Sequence, residues 1–361
     1  MWTSLIVLGL AASTTAQTQY TGTAASEIAE ARAAALTLSP TSNIVGKKFD
    51  RFVTIWCENT DFAMAAGDRS YLFFLPYASI SFNLEFLIQL SKNTCELTVP
   101  ANFAYLATLG ITLSNYVAIT HPSQPNYVAA VGGSTHGVRN DGFYRISASS
   151  KTIVDLLEAR GVSWGVYGED APYSGFQANY VNQKNGKNDY VRKHNPLMSY
   201  DSVTSDINRL AQNKNFTMFE RDLEANRLPQ WMFITPNMTN DGHDTSVTVA
   251  GKWMRSFVEP LLSNPHFLKR TLVLISKKIP FLKLYQGELS IPNKLVAFDE
   301  TANYLSNNKV FSLLLGDAVP ITAHGTTDSA AFNHYSQMAT VERNWDLGDL
   351  GLGDKKAAAF Y

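Results

Sequence analysis

Ser123 has the surroundings of an activated nucleophile, in the segment "HPSQPNY" at residues 121–127. A serine hydroxyl is a weak nucleophile unless a metal ion, a base or a helix N-terminus activates it. Pro125 fits the first turn of a helix, which places Ser123 just ahead of backbone amides that attract an anionic phosphoryl group. Asn126 can donate its side-chain amide to the same oxygens. The alternative is that Ser123 only caps the helix.

Two acidic clusters can supply oxygen ligands for a divalent cation. Each follows a short apolar run. Glu58 and Asn59 follow the run that ends at Trp56, and Asp299 and Glu300 follow Ala297-Phe298. Together with the Ser123 hydroxyl they form an oxygen-only ligand set. Any one acidic pair is also typical of a solvated loop, so the prediction depends on the clusters meeting.

A further polar cluster follows another apolar run, in "PQWMFITPNMTNDGHD". It contains Asp241, His243 and Asp244. Polar side chains therefore follow several apolar runs of the same kind. Whether these side chains lie close together depends on the fold.

The elements that would position these residues alternate between strands and helices. Phe52 to Trp56, Ile111 to Thr120, "PQWMFIT" and "RTLVLIS" are short apolar runs typical of buried parallel strands. Between them, Lys151 to Arg160 is typical of a helix with Gly161 as its C-terminal cap. The alternation predicts an α/β fold with a mostly parallel sheet and helices on both faces. Ligands in such sheets bind beyond the carboxyl ends of the strands, where the clusters would meet.

Length and charge limit the class of partner. The chain has 361 residues, 45% of them hydrophobic, enough for one large α/β domain or two smaller ones. Thirty basic and thirty-one acidic residues nearly cancel, and basic residues do not form long runs. This argues against nucleic acid or an anionic membrane as the main partner and favours a small molecule.

The N-terminus indicates export. Residues 1–16 combine an apolar stretch with small residues before a cleavage point after Ala16, as in a secretory signal peptide. Sequons at Asn215 and Asn237 predict N-glycosylation sites. Cys57 and Cys95 can form one disulfide in an oxidising compartment, but the sequence does not show that they are close.

Six motifs occur in a fixed order: "ENTDF", "HPSQPNY", "KHNPLMSY", "TPNMTNDGHD", "FDETANY" and "NHYSQ". In this order they resemble the fungal secreted acid phosphatases of the phosphoesterase family, which also contains bacterial phosphatidylcholine-type phospholipases C. The family is related to the alkaline phosphatase superfamily. The resemblance places one domain at about residues 45–350 and implies an alkaline-phosphatase-like three-layer αβα sandwich with a mostly parallel central sheet.

The resemblance also implies roles for individual residues. Ser123 would be the nucleophile that forms a phosphoserine intermediate, and His194 and His243 would contact the phosphoryl group or protonate the leaving oxygen. A divalent metal would be bound by Glu58, Asn59, Ser123, Asp299 and Glu300. Asn126 would orient the phosphate, with Asp241, Asp244 and His334 as further substrate-binding candidates. His334 opens a helix, so it is the weaker candidate, because capping or packing is the alternative role for a histidine at that position.

An all-oxygen cation site has a consequence for pH. Histidine ligands are lost to protonation near pH 6.5, whereas carboxylates with pKa values of about 4 stay ionised in mild acid. We therefore expect activity below neutral pH.

Two segments interrupt the family pattern, at residues 69–99 and 277–296. Joining Asp68 to Pro100 and Ser276 to Ala297 restores continuous family-like sequence, so both segments resemble retained introns. If the protein contains the second segment, either "KLVAFDE" replaces "TLVLIS" in the sheet or the insertion loops out and leaves the site intact.

Three functions follow in order of preference. The first is a secreted acid phosphatase that hydrolyses phosphate monoesters. The second is a phosphodiesterase of the phospholipase C type with the same nucleophile. The third is a secreted protein without catalytic activity that binds metal or phosphate.

Overall fold

The computed structural model describes residues 24–58, 102–277 and 308–361. The predicted signal peptide at 1–16 and the insertion at 69–99 lie outside these ranges. The insertion at 277–296 also lies outside them, except for Lys277 at its first position.

Twelve strands and eleven α-helices occur in the described ranges. The strands are β1 (Arg51–Trp56), β2 (Ile111–Leu113), β3 (Tyr116–Val117), β4 (Trp164–Gly168), β5 (Tyr180–Val181), β6 (Asn188–Tyr190), β7 (Asn213–Asn215), β8 (Trp231–Thr235), β9 (Thr271–Lys277), β10 (Phe311–Leu315), β11 (Thr326–Asp328) and β12 (Phe332–Asn333). The helices are α1 (Ala25–Ala34), α2 (Asn102–Ala107), α3 (Ser123–Gly132), α4 (Ile153–Arg160), α5 (Asp201–Thr204), α6 (Ile207–Leu210), α7 (Phe216–Glu224), α8 (Val247–Leu262), α9 (Pro265–Leu268), α10 (His334–Trp345) and α11 (Gly353–Lys356). Short 3-10 turns span Arg192–His194 and Ile321–Ala323.

Eight of these strands form the central sheet, in the order β11-β2-β10-β9-β1-β8-β4-β7. Strand β10 runs antiparallel to both of its neighbours, and all other pairs in the sheet are parallel. The prediction of a mostly parallel sheet is therefore confirmed. "TLVLIS" lies within β9, so the alternative in which it is replaced in the sheet is wrong.

Helices cover both faces of the sheet. On one face, Trp56 of β1 packs against Tyr127 of α3 and His334 of α10, with ring centres 4.8 and 4.5 Å apart. The strand register places Tyr167 of β4 on the opposite face, where it contacts Phe219 of α7. Alternate residues of a strand point to opposite faces, so continuous apolar strands require cover on both sides. The three-layer αβα arrangement is confirmed.

Two predicted elements can be compared with their bounds in the structure. The run from Ile111 to Thr120 is not one strand: β2 belongs to the central sheet, whereas β3 pairs with β12 in a separate two-stranded sheet. A turn at Ser114 and Asn115 divides them, and the apolar content on both sides conceals it. Helix α4 ends as predicted, with Gly161 at φ 73° donating its backbone N–H to the carbonyls of the last turn.

The length and polarity of the helices show whether any of those described could span a membrane. In the ranges that the structure describes, every helix is too short or too polar to cross a membrane.

Candidate active site

Glu58 lies directly beyond the carboxyl end of β1. Its side chain is fully buried, and its backbone N–H donates to the carbonyl of Asp241 at 3.0 Å. Asp241 follows β8, the parallel neighbour of β1. The carboxyl ends of neighbouring parallel strands share one edge of the sheet, which is why these two clusters meet.

Ser123 is in hydrogen-bond contact with this carboxylate. Its hydroxyl donates to Oε2 of Glu58 at 2.9 Å, and the serine is buried. Ser123 is the first residue of α3 and Pro122 occupies the N-cap position, so the alternative that Ser123 is the N-cap is wrong. Pro125 lies in the first turn of this helix, as predicted, because "SQPN" forms that turn.

The backbone around Ser123 differs from the expectation in one respect. The N–H of Gln124 donates to Oδ1 of Asp141 at 3.0 Å, and Pro125 has no N–H. The expected row of backbone amides for a phosphoryl group is therefore reduced. The carboxylate of Glu58 is a described partner of the Ser123 hydroxyl.

His194 lies between the two buried acids. Its Nε2 is 3.0 Å from Oε1 of Glu58, and its Nδ1 is 3.4 Å from Oδ2 of Asp241. The Tyr127 ring stacks on the imidazole at 5.1 Å, and the Tyr127 hydroxyl donates to Oε1 of Glu58 at 3.0 Å. Tyr127 lies one helical turn after Ser123, and sequence reasoning missed it. Its position at i+4 from the serine was the available signal.

The charges of this cluster depend on one another. Burial by itself would lower the pKa of His194, but the carboxylates of Glu58 and Asp241 outweigh it and hold that pKa above its ordinary value. Burial raises the pKa of Asp241, the charge of His194 opposes this rise, and Glu58 adds to it. The arrangement favours an imidazolium at His194 that neutralises buried negative charge.

His243 and Asp244 lie at the accessible side of the cluster. The His243 ring is 6.1 Å from that of His194, and its Nδ1 is 2.8 Å from Oδ1 of Asp244. The backbone N–H of His243 donates to Asp241 at 2.7 Å. The side chain of His243 is 28% exposed, in contrast to the buried His194. His243 is therefore accessible from solvent, whereas His194 is not.

The contacts of Asn126 hold the loop before Ser123. Its Oδ1 accepts the N–H groups of Ile119 and Thr120, both at 3.0 Å, and its Nδ2 donates to the carbonyl of Thr120 at 2.8 Å. Asn126 is fully buried. These contacts show that Asn126 holds the loop that precedes Ser123, and its contact with phosphate stays a prediction.

His334, the first residue of α10, is buried near the same strand end. Its ring packs on Trp56, and its Nδ1 is 3.2 Å from the hydroxyl oxygen of Tyr116. The described contacts are those of a packed core histidine, and its contact with substrate stays a prediction.

Three of the five expected metal ligands, Asn59, Asp299 and Glu300, lie outside the described residues. The other two, Glu58 and Ser123, are in contact, and a buried carboxylate beside a hydroxyl is a donor set that suits a hard divalent cation. Within the described ranges alone, no three His, Cys, Asp or Glu side chains are arranged to hold a metal.

The remaining predicted residues are the two sequon asparagines and the two cysteines. Asn215 caps α7 by accepting the N–H of Met218, and Asn237 donates to Asp170 at 2.6 Å. Glycosylation at either asparagine stays a prediction. Cys57 is buried at the end of β1, and Cys95 lies outside the described residues.

A pocket of about 340 Å³ opens beside the cluster. Gln124, the neighbour of Ser123, and His243 contribute to its wall. It is also lined by Asp141, Phe143, Arg192 and Lys193, and no signal in the sequence indicated that these residues are close together.

Comparison with known proteins identifies the family. The family model described as "Phosphoesterase family" matches residues 95–348. The chain belongs to this phosphoesterase family. It is 44% identical over 330 residues to an acid phosphatase of Aspergillus fumigatus, covering 91% of this chain and 62% of that protein. It is 45% identical over 347 residues to a phosphate-repressible acid phosphatase of Penicillium chrysogenum, covering 96% of this chain and 71% of that protein.

More distant matches accompany these. A phosphatidylinositol-3-phosphatase of Mycobacterium tuberculosis is 27% identical over 248 residues, covering 68% of this phosphoesterase and 70% of that protein. A solved structure from Vibrio parahaemolyticus, described as a protein in the alkaline phosphatase superfamily, aligns with TM-score 0.45 and 12% identity, covering 94% of this chain and 81% of that one. The family prediction made from six motifs is confirmed.

Proposed function

We propose that this phosphoesterase is a secreted acid phosphatase that hydrolyses small phosphate monoesters with Ser123 as its nucleophile. The observation that carries the proposal is the 2.9 Å hydrogen bond from the Ser123 hydroxyl to the buried carboxylate of Glu58. The fungal relatives named acid phosphatases support the reaction class. The predicted signal peptide at residues 1–16 supports secretion.

The proposed reaction proceeds in two displacements. Oγ of Ser123 attacks phosphorus while its proton passes to Oε2 of Glu58, and the bond from phosphorus to the ester oxygen breaks. The departing oxygen takes a proton from His243, the exposed histidine beside the pocket. Water then attacks phosphorus and gives a proton to His243, the bond from phosphorus to Oγ breaks, and Glu58 returns its proton to Oγ of Ser123, so that phosphate is released and each residue regains its starting form.

His194 has a different part in this scheme. Because both of its ring nitrogens face carboxylates, we propose that it holds Glu58 in place and balances its charge. Glu58 and Ser123, together with Asn59, Asp299 and Glu300, are the proposed ligands of a divalent cation. When bound, such a cation makes the serine hydroxyl easier to ionise and neutralises phosphoryl charge.

The test is hydrolysis of an aryl phosphate at several pH values. We expect turnover with an optimum below neutral pH, and loss of at least about 1000-fold in kcat for Ser123→Ala. Ser149→Ala, at an exposed serine, is the matched control and should retain full activity. Chelation should remove the activity and a divalent cation should restore it.

Three results would contradict the proposal in different ways. Preferred hydrolysis of a phosphocholine diester would indicate the phospholipase C type of reaction. Turnover that survives Ser123→Ala would exclude this serine as the nucleophile, and no turnover by the folded wild-type protein would favour the non-catalytic alternative.

A further inference from the structure

Phe143 is an exposed aromatic residue at the wall of the pocket beside the nucleophile. It is 67% exposed and lines the same pocket as Gln124 and His243. A single exposed apolar residue is common on protein surfaces. What distinguishes Phe143 is that a buried cation covers one face of its ring.

That cation is Arg192, whose guanidinium carbon lies 4.1 Å from the centre of the Phe143 ring. Arg192 is only 7% exposed, and its Nη2 donates to the carbonyls of Tyr144, at 2.9 Å, and Met198. A guanidinium fixed by the backbone and stacked on an aromatic face limits the motion of the ring. Phe143 is therefore held in position although most of its surface meets solvent.

The charges of the pocket point to a neutral ligand group. Lys193 is paired with Oδ2 of Asp141 at 2.9 Å, and Arg192 already contacts two carbonyls and the ring. A second anionic group on the substrate would have to compete with these partners. An aromatic group would instead stack on the ring without breaking a described contact.

We propose that Phe143 is a specificity-determining residue that stacks on the leaving group and favours aromatic over aliphatic phosphate esters. The proposal rests on the proposed function, in which the pocket beside Ser123 receives the leaving group. Arg192 positions the ring by covering its other face.

The test compares benzyl phosphate with cyclohexylmethyl phosphate. Both esters release primary alcohols of similar size, so their ratio of kcat/KM reports the aromatic ring. We expect the wild-type protein to prefer the benzyl ester, and Phe143→Leu to lower the ratio by about three- to tenfold. Phe143→Tyr should keep the ratio, because it keeps the ring. Ile321→Ala, at an exposed apolar residue outside the pocket, is the matched control and should also keep it.

Both kcat/KM values come from the same active enzyme molecules. Loss of folded protein lowers both values equally and therefore leaves their ratio unchanged. Hydrolysis of both esters with an unchanged ratio in Phe143→Leu would overturn this inference alone. Hydrolysis of neither ester by the wild-type protein would overturn the proposed function and this inference with it.

Discussion

Oε1 of Glu58 lies 3.0 Å from Nε2 of His194, whereas its other oxygen accepts the hydroxyl of Ser123. The carboxylate thus connects Ser123, the proposed nucleophile, to a histidine that is itself buried against Asp241. A buried histidine in this position suits its proposed role of holding Glu58. The partly exposed His243 is the proposed proton donor to the leaving group, so the two histidines should respond differently to substitution.

His243→Gln should slow the hydrolysis of esters with poor leaving groups far more than the hydrolysis of esters with good leaving groups. A nitrophenolate departs without a proton, whereas an alkoxide needs one, and general acid catalysis typically contributes about 10²–10⁴-fold. We expect a loss near 100-fold for an alkyl phosphate and less than about fivefold for nitrophenyl phosphate. Steady-state kcat for a series of leaving groups checks this.

His194→Gln is the matched comparison, because it should slow every ester by a similar factor. Its proposed role is to hold Glu58, which acts on the nucleophile in every reaction. Equal leaving-group dependence in both variants would contradict the separate roles.

Lys214→Met should destabilise the fold strongly. Lys214 is fully buried, and its Nζ contacts Oδ2 of Asp222 at 2.7 Å and the hydroxyl of Ser39 at 3.0 Å. Removing one partner of a buried ion pair leaves the other charge without compensation, which costs about 3–5 kcal/mol. Denaturant unfolding measures this loss of unfolding free energy.

Two further variants complete that experiment. Lys355→Met breaks an exposed pair with Asp349 and should cost less than about 1 kcal/mol. Adding Asp222→Asn to Lys214→Met should recover part of the loss, because it removes the uncompensated charge. No recovery would show that packing rather than charge explains the effect.

Glu342→Gln should alter how stability depends on pH. Burial, followed by the nearby charge of Asp354, raises the pKa of Glu342 from its ordinary 4.5 to about 9. The folded state then holds a proton that the unfolded state releases, so stability is fully present below about pH 4.5 and falls as pH rises towards about 9. Glutamine does not ionise, so the variant should lose less stability across this range.

Thermal unfolding at pH 4 and pH 8 provides the measurement. We expect Glu342→Gln to match the wild type at pH 4 and to gain about 1–3 kcal/mol at pH 8. Asp328→Asn, on the separate edge strand β11, is a control for general charge effects. Parallel pH curves for wild type and Glu342→Gln would show that this carboxyl does not drive the dependence.

The segments 69–99 and 277–296 should prove dispensable. Deleting both restores family-like sequence at each junction, so we expect a higher soluble yield and at least equal turnover of an aryl phosphate. Sequencing transcripts across both junctions should find spliced reads. Transcripts that all retain the segments, or loss of activity on deletion, would show that they belong to the protein.

The sequence determined the fold class and the family. Short apolar runs alternating with helices specify a covered parallel sheet, because only such a sheet buries strands on both faces. Motif order identified the phosphoesterase family without coordinates. The antiparallel direction of β10 could not be predicted from the sequence, because it depends on the neighbouring strands β2 and β9 and leaves no local sequence signal.

Only the tertiary structure decided how the polar residues divide their contacts. The sequence indicated Ser123, Glu58, His194 and Asp241 as separate motifs, but it did not show that His194 lies between two buried carboxylates. Neither did it show that Phe143 and Arg192 meet beside the nucleophile. Residue types and periodicity are local properties of the chain, whereas these distances arise from the packing of loops that are far apart in sequence.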